Sequence, residues 1–291
     1  MPSARLGGRE PVVEPVSISL IRRVRHRLRT HVSEHPAMYL AFARHKYPGP
    51  SPQVISSRTE LVIDGYTRSA TTFAVYALQL SQSTPVRVAH HLHAPAQLIE
   101  AARLGVPALV LIREPQGAIL SQLIREPGVA LRDALVAYSR FYTCLLPYRD
   151  ALVVGEFEQV THEFGLVVRR INARFGTGFA EFVHTEANLR ECFELIKLRG
   201  TLSKTLLGFE SGEVTRDQLR RGLHVTTRDQ LLRELHILAY GGKRLAARDA
   251  WIPSQNRDRA KSALYEQWAR PSMAKLRDRA QAVYQAFLDG A

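Results

Sequence analysis

Three short stretches carry the residue types that chemistry needs. In Gly65-Tyr66-Thr67-Arg68-Ser69-Ala70-Thr71-Thr72-Phe73, a glycine, a cation and several hydroxyls follow the apolar run Leu61-Val62-Ile63. A strand that turns at glycine into a helix presents backbone N–H groups at the helix start. The helix dipole reinforces their pull on an anion. Arg68 adds a fixed positive charge, and Ser69, Thr71 and Thr72 add hydroxyl donors suited to phosphate oxygens. A plain strand–turn–helix connection closed by a Ser or Thr cap fits the same letters. The nucleoside-triphosphate loop G-x-x-x-x-G-K-[ST] is missing its second glycine and its Gly-Lys pair, which argues against an ATPase or kinase.

The second stretch follows the unbroken apolar run Ala108–Ile112: Arg113, then Pro115, then Ser121, eight residues after the arginine. An arginine at the carboxyl end of a strand stands on the usual ligand edge of an open α/β sheet. Its planar guanidinium can grip a phosphate through two hydrogen bonds. Ser121, about two helical turns on, can face the same phosphate. The third stretch is His90-His91-Leu92-His93. Zinc would want further Cys, His or acidic ligands nearby, and none is convincingly spaced. A histidine, with an ordinary pKa of about 6.5, is suited instead to taking up a proton near neutrality.

Together these stretches resemble the nucleotide-binding elements of sulfotransferases that use 3′-phosphoadenylyl sulfate (PAPS). The family's first loop reads roughly x-Y-P-[KR]-S-G-T-T-[WF]. Tyr66, Arg68, Ser69, Thr71, Thr72 and Phe73 match it, while Thr67 replaces proline and Ala70 replaces glycine. Arg113, Pro115 and Ser121 reproduce the spacing of its 3′-phosphate element. His93-Ala94-Pro95 matches the end of its K-T-H-x-P, with His91 where lysine is usual. Ala151 to Val160 is similar to its later strand and helix, with Phe157-Glu158 in place of Tyr-Glu. The resemblance covers about 61–180.

It implies that Gly65, Tyr66, Thr67, Arg68, Ser69, Ala70, Thr71 and Thr72 hold the 5′-phosphosulfate, and that Arg113 and Ser121 hold the 3′-phosphate. His93 would be the general base, and Arg68 would offset charge on the leaving phosphate. Arg257 and Lys261, one helical turn apart, are candidates for a basic element closing over the nucleotide, although a solvated helix surface fits them equally well. PAPS is then the co-substrate, the 3′,5′-bisphosphate PAP the product, and no metal is required. The acceptor, a hydroxyl or amine on a carbohydrate, a lipid head group or a small metabolite, is open at this level, as is the oligomeric state. Nucleic acid is not an expected partner. Two other readings stand beside this one: a P-loop nucleotide kinase, and a non-catalytic sulfotransferase-like protein that binds membrane or nucleic acid through a basic arm.

The elements that must position these residues follow from periodicity. Strands are expected at 60–63, 86–89, 108–112 and 151–154. They alternate with helices at 71–80, 95–103, 115–124, 130–146 and 160–175, the last capped by Gly176. This alternation predicts an α/β fold with a central parallel sheet flanked by helices, of the P-loop-NTPase-like sulfotransferase kind on the resemblance. Residues 1–14 read as loosely ordered. A helix at 16–32 interleaves Ile18, Leu20, Ile21, Val24, Leu28 and Val32 with Arg22, Arg23, Arg25, Arg27 and Arg29. It could lie on an anionic membrane or nucleic acid, or pack on its own domain with solvated arginines. The rigid stretch 47–52 would separate this arm (1–57) from the sulfotransferase domain (58–291), whose part beyond about 185 reads as helical.

A hydrophobic content of 45% with 23% charged residues predicts a folded globular chain. Forty Lys and Arg against 27 Asp and Glu leave +13, which favours an anionic partner. Two cysteines, Cys144 and Cys192, exclude a disulfide scaffold and a cysteine-rich metal site. No stretch approaches the length and apolarity of a membrane span, and no apolar secretory leader opens the chain. The expected location is the cytoplasm, with peripheral membrane contact compatible.

Overall fold

Strands buried on both faces need apolar side chains at successive positions, and this requirement organises the structure. The computed structural model describes residues 16–46, 53–126, 128–199, 204–222 and 255–289. The stretches 1–14 and 47–52 read above lie outside the described residues. Strands β1 (Leu61–Gly65), β2 (Val88–His90), β3 (Ala108–Ile112) and β4 (Val153–Glu156) form one parallel sheet in the order β2-β1-β3-β4. Every residue of β1 and β3 is buried. Leu61, Ile63, Leu109 and Leu111 point to one core, whereas Val62, Val110 and Ile112 point to the other. The protein is therefore α/β, with a parallel sheet between helical layers.

All four expected strands occur, the one at 108–112 with its expected limits and the other three with shifted ones. Glu60 is excluded from β1, which instead runs on to Gly65 because Asp64 and Gly65 pair with Val110 and Leu111. β2 is 88–90 rather than 86–89, since only Val88, Ala89 and His90 face partners on β1. β4 is 153–156 rather than 151–154, in register with Leu109–Ile112. Backbone partners across the ladder decide where a strand ends, and a run of apolar letters does not record them.

The helices are α1 (Val16–Val32), α2 (Pro36–Lys46), α3 (Thr71–Ser81), α4 (Pro95–Leu104), α5 (Pro115–Arg125), α6 (Leu131–Thr143), α7 (Phe157–His162), α8 (Phe164–Phe175), α9 (Glu186–Leu198), α10 (Lys204–Glu210), α11 (Arg216–Gly222), α12 (Gln255–Ala269) and α13 (Ala274–Leu288). Proline begins α4 and α5, where its missing N–H costs nothing. The Glu114 carboxylate caps α5, accepting from the amides of Gln116 and Gly117 at 2.8 and 2.7 Å. Gly176 ends α8 in the left-handed conformation expected of it, at φ 66°. The expected helix 130–146 stops at Thr143 and gives way to a 3₁₀ turn at Leu146–Ala151 that contains Pro147. The expected helix 160–175 is two helices broken at Glu163, whose φ of −141° is not helical.

One core, between the sheet and α2, α4, α5, α6 and α13, includes Leu40, Leu98, Ile119, Tyr142 and Phe287. The Phe287 ring meets Tyr142 edge-on at 5.4 Å, so the end of the chain closes this layer. The second core, under α3, α8, α9, α10 and α11, includes Tyr76, Phe164, Leu195 and Phe209. Helix α2 belongs to the first core through Tyr39, Leu40 and Ala43, and α1 packs against α6.

Candidate anion-binding and proton-transfer site

From β1 the chain crosses to β2 on one side and afterwards places β3 on the other, so the strand order reverses between β1 and β3. A crevice opens at the carboxyl ends of the strands at such a point, and ligands of open α/β sheets settle there. Every strand delivers a segment to this edge: residues 66–70 after β1, 91–94 after β2, Arg113 after β3 and Phe157 after β4.

In the first loop Arg68 and Ala70 both adopt the left-handed conformation, at φ 72° and 71°. Left-handed residues at alternate positions turn successive N–H groups to one side, the geometry of an anion nest. Ala70 is also the N-cap of α3 and has no side chain with which to cap it. The first-turn amides of α3 therefore lack an internal partner. The Ser69 and Thr71 hydroxyls are buried and make no hydrogen bond among the described residues. A buried polar atom in that state costs about 1–3 kcal/mol, which an oxyanion at the loop would recover.

Ala70 thus stands where a glycine would be unstrained, the one position at which the loop departs from its expected glycine. Ala70→Gly is expected to raise thermal stability by roughly 1 kcal/mol, the left-handed strain of a Cβ less the extra freedom glycine gives the unfolded chain. Ala70→Val should lower it, and equal melting temperatures for the three proteins would contradict the strained loop.

Two residues of the expected loop have other duties. A Cβ on Gly65 would lie 2.2 Å from the Leu111 carbonyl oxygen, so the glycine is demanded by the β1–β3 approach. Its amide donates to the Asp64 carboxylate at 2.9 Å. The Tyr66 side chain points into the core, its hydroxyl donating towards Gln122 and the Ala134 carbonyl and its ring packing edge-on against Tyr138. Its amide is engaged by the Tyr142 hydroxyl. Gly65 and Tyr66 therefore support the loop from below.

The second stretch meets the first. Arg68 Nε donates to Ser121 Oγ at 2.8 Å, and Arg113 Nη1 donates to the Arg68 carbonyl at 3.2 Å. The Arg113 guanidinium also lies over the Phe157 ring, its central carbon 3.7 Å from the ring centroid. That stacking and the backbone contact fix the plane of the guanidinium. In the sequence Phe157 only marks the last strand; its stacking role depends on β3 and β4 being neighbours. Lys261 lies on α12, which packs against α5, the helix of Ser121. The side chain of Arg257 lies outside the described residues.

The third stretch brings a histidine to the same edge. His93 Nδ1 lies 2.9 Å from the Gly65 carbonyl oxygen, which can only accept, so Nδ1 carries the proton and Nε2 keeps its lone pair. The His93 amide donates to both Asp64 oxygens at 3.1 Å, and Nδ1 is 3.5 Å from Oδ1. Burial pushes the Asp64 carboxyl up to about 7, opposed by the amides of Gly65, His93 and Leu92. Burial pushes the His93 imidazole down to about 4, helped by Arg29, Arg199 and Arg68. His93 faces a cavity of about 70 Å³ that is also lined by Arg29, Thr30, Thr67, Glu126 and Phe141.

Behind His93 the other two histidines find a third partner that sequence spacing does not reveal. His90, His91 and Glu210 bring ligand atoms within 4.8 Å of one another. Glu210 is fully buried and already accepts from Tyr76 and from two nitrogens of Arg199. A divalent cation there would have to share the carboxylate with a guanidinium, an unfavourable pairing of like charges. The donor set fits a neutral network better. His91 Nε2 lies 3.0 Å from the Thr72 hydroxyl, which couples this network to the first turn of α3.

Burial lowers His90 to about 3, and pushes His91 well below its ordinary value. In the unfolded chain each histidine takes up a proton near 6.5. Together with His93 they contribute stability that is complete above that pH and is lost as the pH falls towards 4 and then 3. Asp64 acts in the opposite sense between 3.8 and about 7, one group against three. The melting temperature should therefore fall between pH 7 and pH 4, and a constant or rising value would contradict the buried neutral cluster.

No model of a known protein family matches this chain, and no curated protein matches it.

Proposed function

We propose that the protein is a PAPS-dependent sulfotransferase with a sulfotransferase-type fold. The observation that carries the reading is the contact of Arg68 with both Arg113 and Ser121. Residues expected to hold two phosphates of one nucleotide, 45 and 53 positions apart, meet at the switch point of the sheet. In the proposed reaction the amides at the start of α3, Arg68, Thr71 and Thr72 hold the 5′-phosphosulfate, while Arg113 and Ser121 hold the 3′-phosphate. An acceptor hydroxyl or amine enters the cavity beside Thr67. His93 Nε2 takes its proton as the acceptor atom attacks sulfur. The bond from sulfur to the bridging oxygen of PAPS breaks, and the electron pair stays on the 5′-phosphate of PAP.

Arg68 and the α3 dipole offset that charge, so the catalytic effect comes from positioning and electrostatics. The Gly65 carbonyl holds the ring in the productive tautomer, and the Asp64 carboxylate, 3.5 Å from Nδ1, opposes the charge formed on it, as an acid behind a histidine does in hydrolase triads. Arginine supplies the cationic charge, so chelators should leave turnover unchanged.

Thermal unfolding with PAP, ATP and Mg²⁺-ATP side by side tests the reading. A ligand at about 100 times its Kd stabilises by roughly 2.7 kcal/mol, several degrees for a chain of this size. PAP is expected to give that shift. A shift with ATP and none with PAP would overturn the proposal in favour of a kinase.

A further inference from the structure

Helix α1 is mounted with its polar side towards the protein. Arg23 and Arg27 both pair with the buried Asp133 of α6, at 3.2 and 2.8 Å. His26 and Thr30 line the cavity in front of His93, and Arg29 Nη2 donates to the Leu92 carbonyl at 3.2 Å. The opposite side carries Ile21, Val24 and Leu28, which among the described residues are 67%, 56% and 61% exposed. Spacings of three and four place them on one stripe. At 3.6 residues per turn, Arg25 and Arg29 border the stripe on one side and Arg27 and His31 on the other. The helix contains no acidic residue. A surface helix ordinarily turns its apolar stripe to the core, so this orientation asks for an external partner.

We propose that this stripe docks on an anionic lipid surface, with α1 lying in the head-group plane. Ile21, Val24 and Leu28 would enter the acyl boundary, and the exposed Arg25 beside them would meet anionic head groups, with Arg27 and Arg29 adding positive charge at the rim while they keep their contacts to the protein. An apolar stripe rimmed by cations without acids is the pattern of helices that lie on membranes. No helix among the described residues is long and apolar enough to cross one. A second copy of the chain is a poorer occupant, because pairing this face with itself sets Arg25 and Arg29 against their own copies. RNA would match the arginines and leave three aliphatic side chains unmatched. The inference concerns where the protein works and is independent of the reaction proposed above.

Co-sedimentation of the full chain with phosphatidylcholine vesicles, with and without phosphatidylserine, tests it. Binding is expected to the phosphatidylserine vesicles and should weaken as salt rises. Leu28→Asp should reduce partitioning by about tenfold or more, and Arg25→Glu by roughly fivefold or more. Neither should change the melting temperature, since both side chains point away from the protein. The proposal is overturned by a wild-type protein that stays in the supernatant, or by a Leu28→Asp protein that binds as well as wild type. A fall in melting temperature for Leu28→Asp would mean that the chain itself covers the stripe. A dimer in sedimentation velocity that Leu28→Asp dissociates would assign the face to a second copy.

Discussion

His93→Ala is expected to lower turnover by roughly 10²–10⁴-fold while leaving PAP affinity close to wild type. The separation follows from where the side chain stands. Its Nδ1 is committed to the Gly65 carbonyl, and its ring faces the cavity beside Thr67 rather than Arg68 and Arg113. Removing it takes away the proton acceptor and leaves Arg68, Arg113 and Ser121 in contact. Asp64→Asn should give a smaller loss, because the carboxylate acts only through the imidazole.

The pH profile separates the two roles. A base works while it is neutral, and burial keeps the His93 imidazole neutral down to about 4. The Asp64 carboxyl, raised to about 7 by burial, takes up its proton first as the pH falls. Activity should therefore begin to decline near neutrality through loss of the Asp64 charge, and this first limb should be absent from Asp64→Asn. Steady-state turnover measured alongside calorimetric PAP binding decides the matter. A fully active His93→Ala enzyme would dispose of the base assignment.

Arg113→Ala is expected to weaken PAP binding by about 1.5–3 kcal/mol, the usual cost of a lost charged hydrogen bond. That corresponds to about one to two orders of magnitude in Kd. The Phe157 ring beneath it and the Arg68 carbonyl beside it hold this guanidinium before any ligand arrives. Little side-chain entropy then remains to be lost on binding. Arg113→Lys should restore only part of the affinity, since an ammonium has neither the planar fork nor the stacking surface. Phe157→Leu should fall between the two, because it frees the guanidinium without removing it. An unchanged Kd for Arg113→Ala in titration calorimetry would remove the 3′-phosphate assignment.

The chemistry-bearing letters were legible because they sit at fixed distances from apolar runs. Arg68 follows Leu61–Ile63, and Arg113 follows Ala108–Ile112; both runs read as strands, the second suited to burial on both faces. The substitution of Ala70 for glycine was equally visible, and it falls on a residue with φ of 71°. Legibility failed where a residue's duty depends on a partner distant in sequence. Gly65 looked like part of a phosphate loop, yet the Leu111 carbonyl is what forbids it a side chain. Tyr66 matched the motif, yet Gln122 and Ala134 draw its hydroxyl into the core. Glu210 carried no local signal at all.

By itself the sequence determined the alternation of strands and helices, the parallel sheet, and the short stretches that follow its strands at their carboxyl ends. Local periodicity and turn chemistry suffice for these, because each depends on neighbours a few residues away. Only the tertiary structure decided that Arg68, Ser121 and Arg113 touch, that Asp64 stands behind His93, and that Arg199 and Tyr76 occupy the carboxylate that a metal would need. It also decided which way α1 faces. The amphipathic pattern of α1 was plain, but Asp133, a hundred residues away, drew its arginines inward and left its aliphatic stripe outside. A buried carboxylate that would otherwise be unpaired costs several kcal/mol, about as much as three exposed aliphatic side chains forgo.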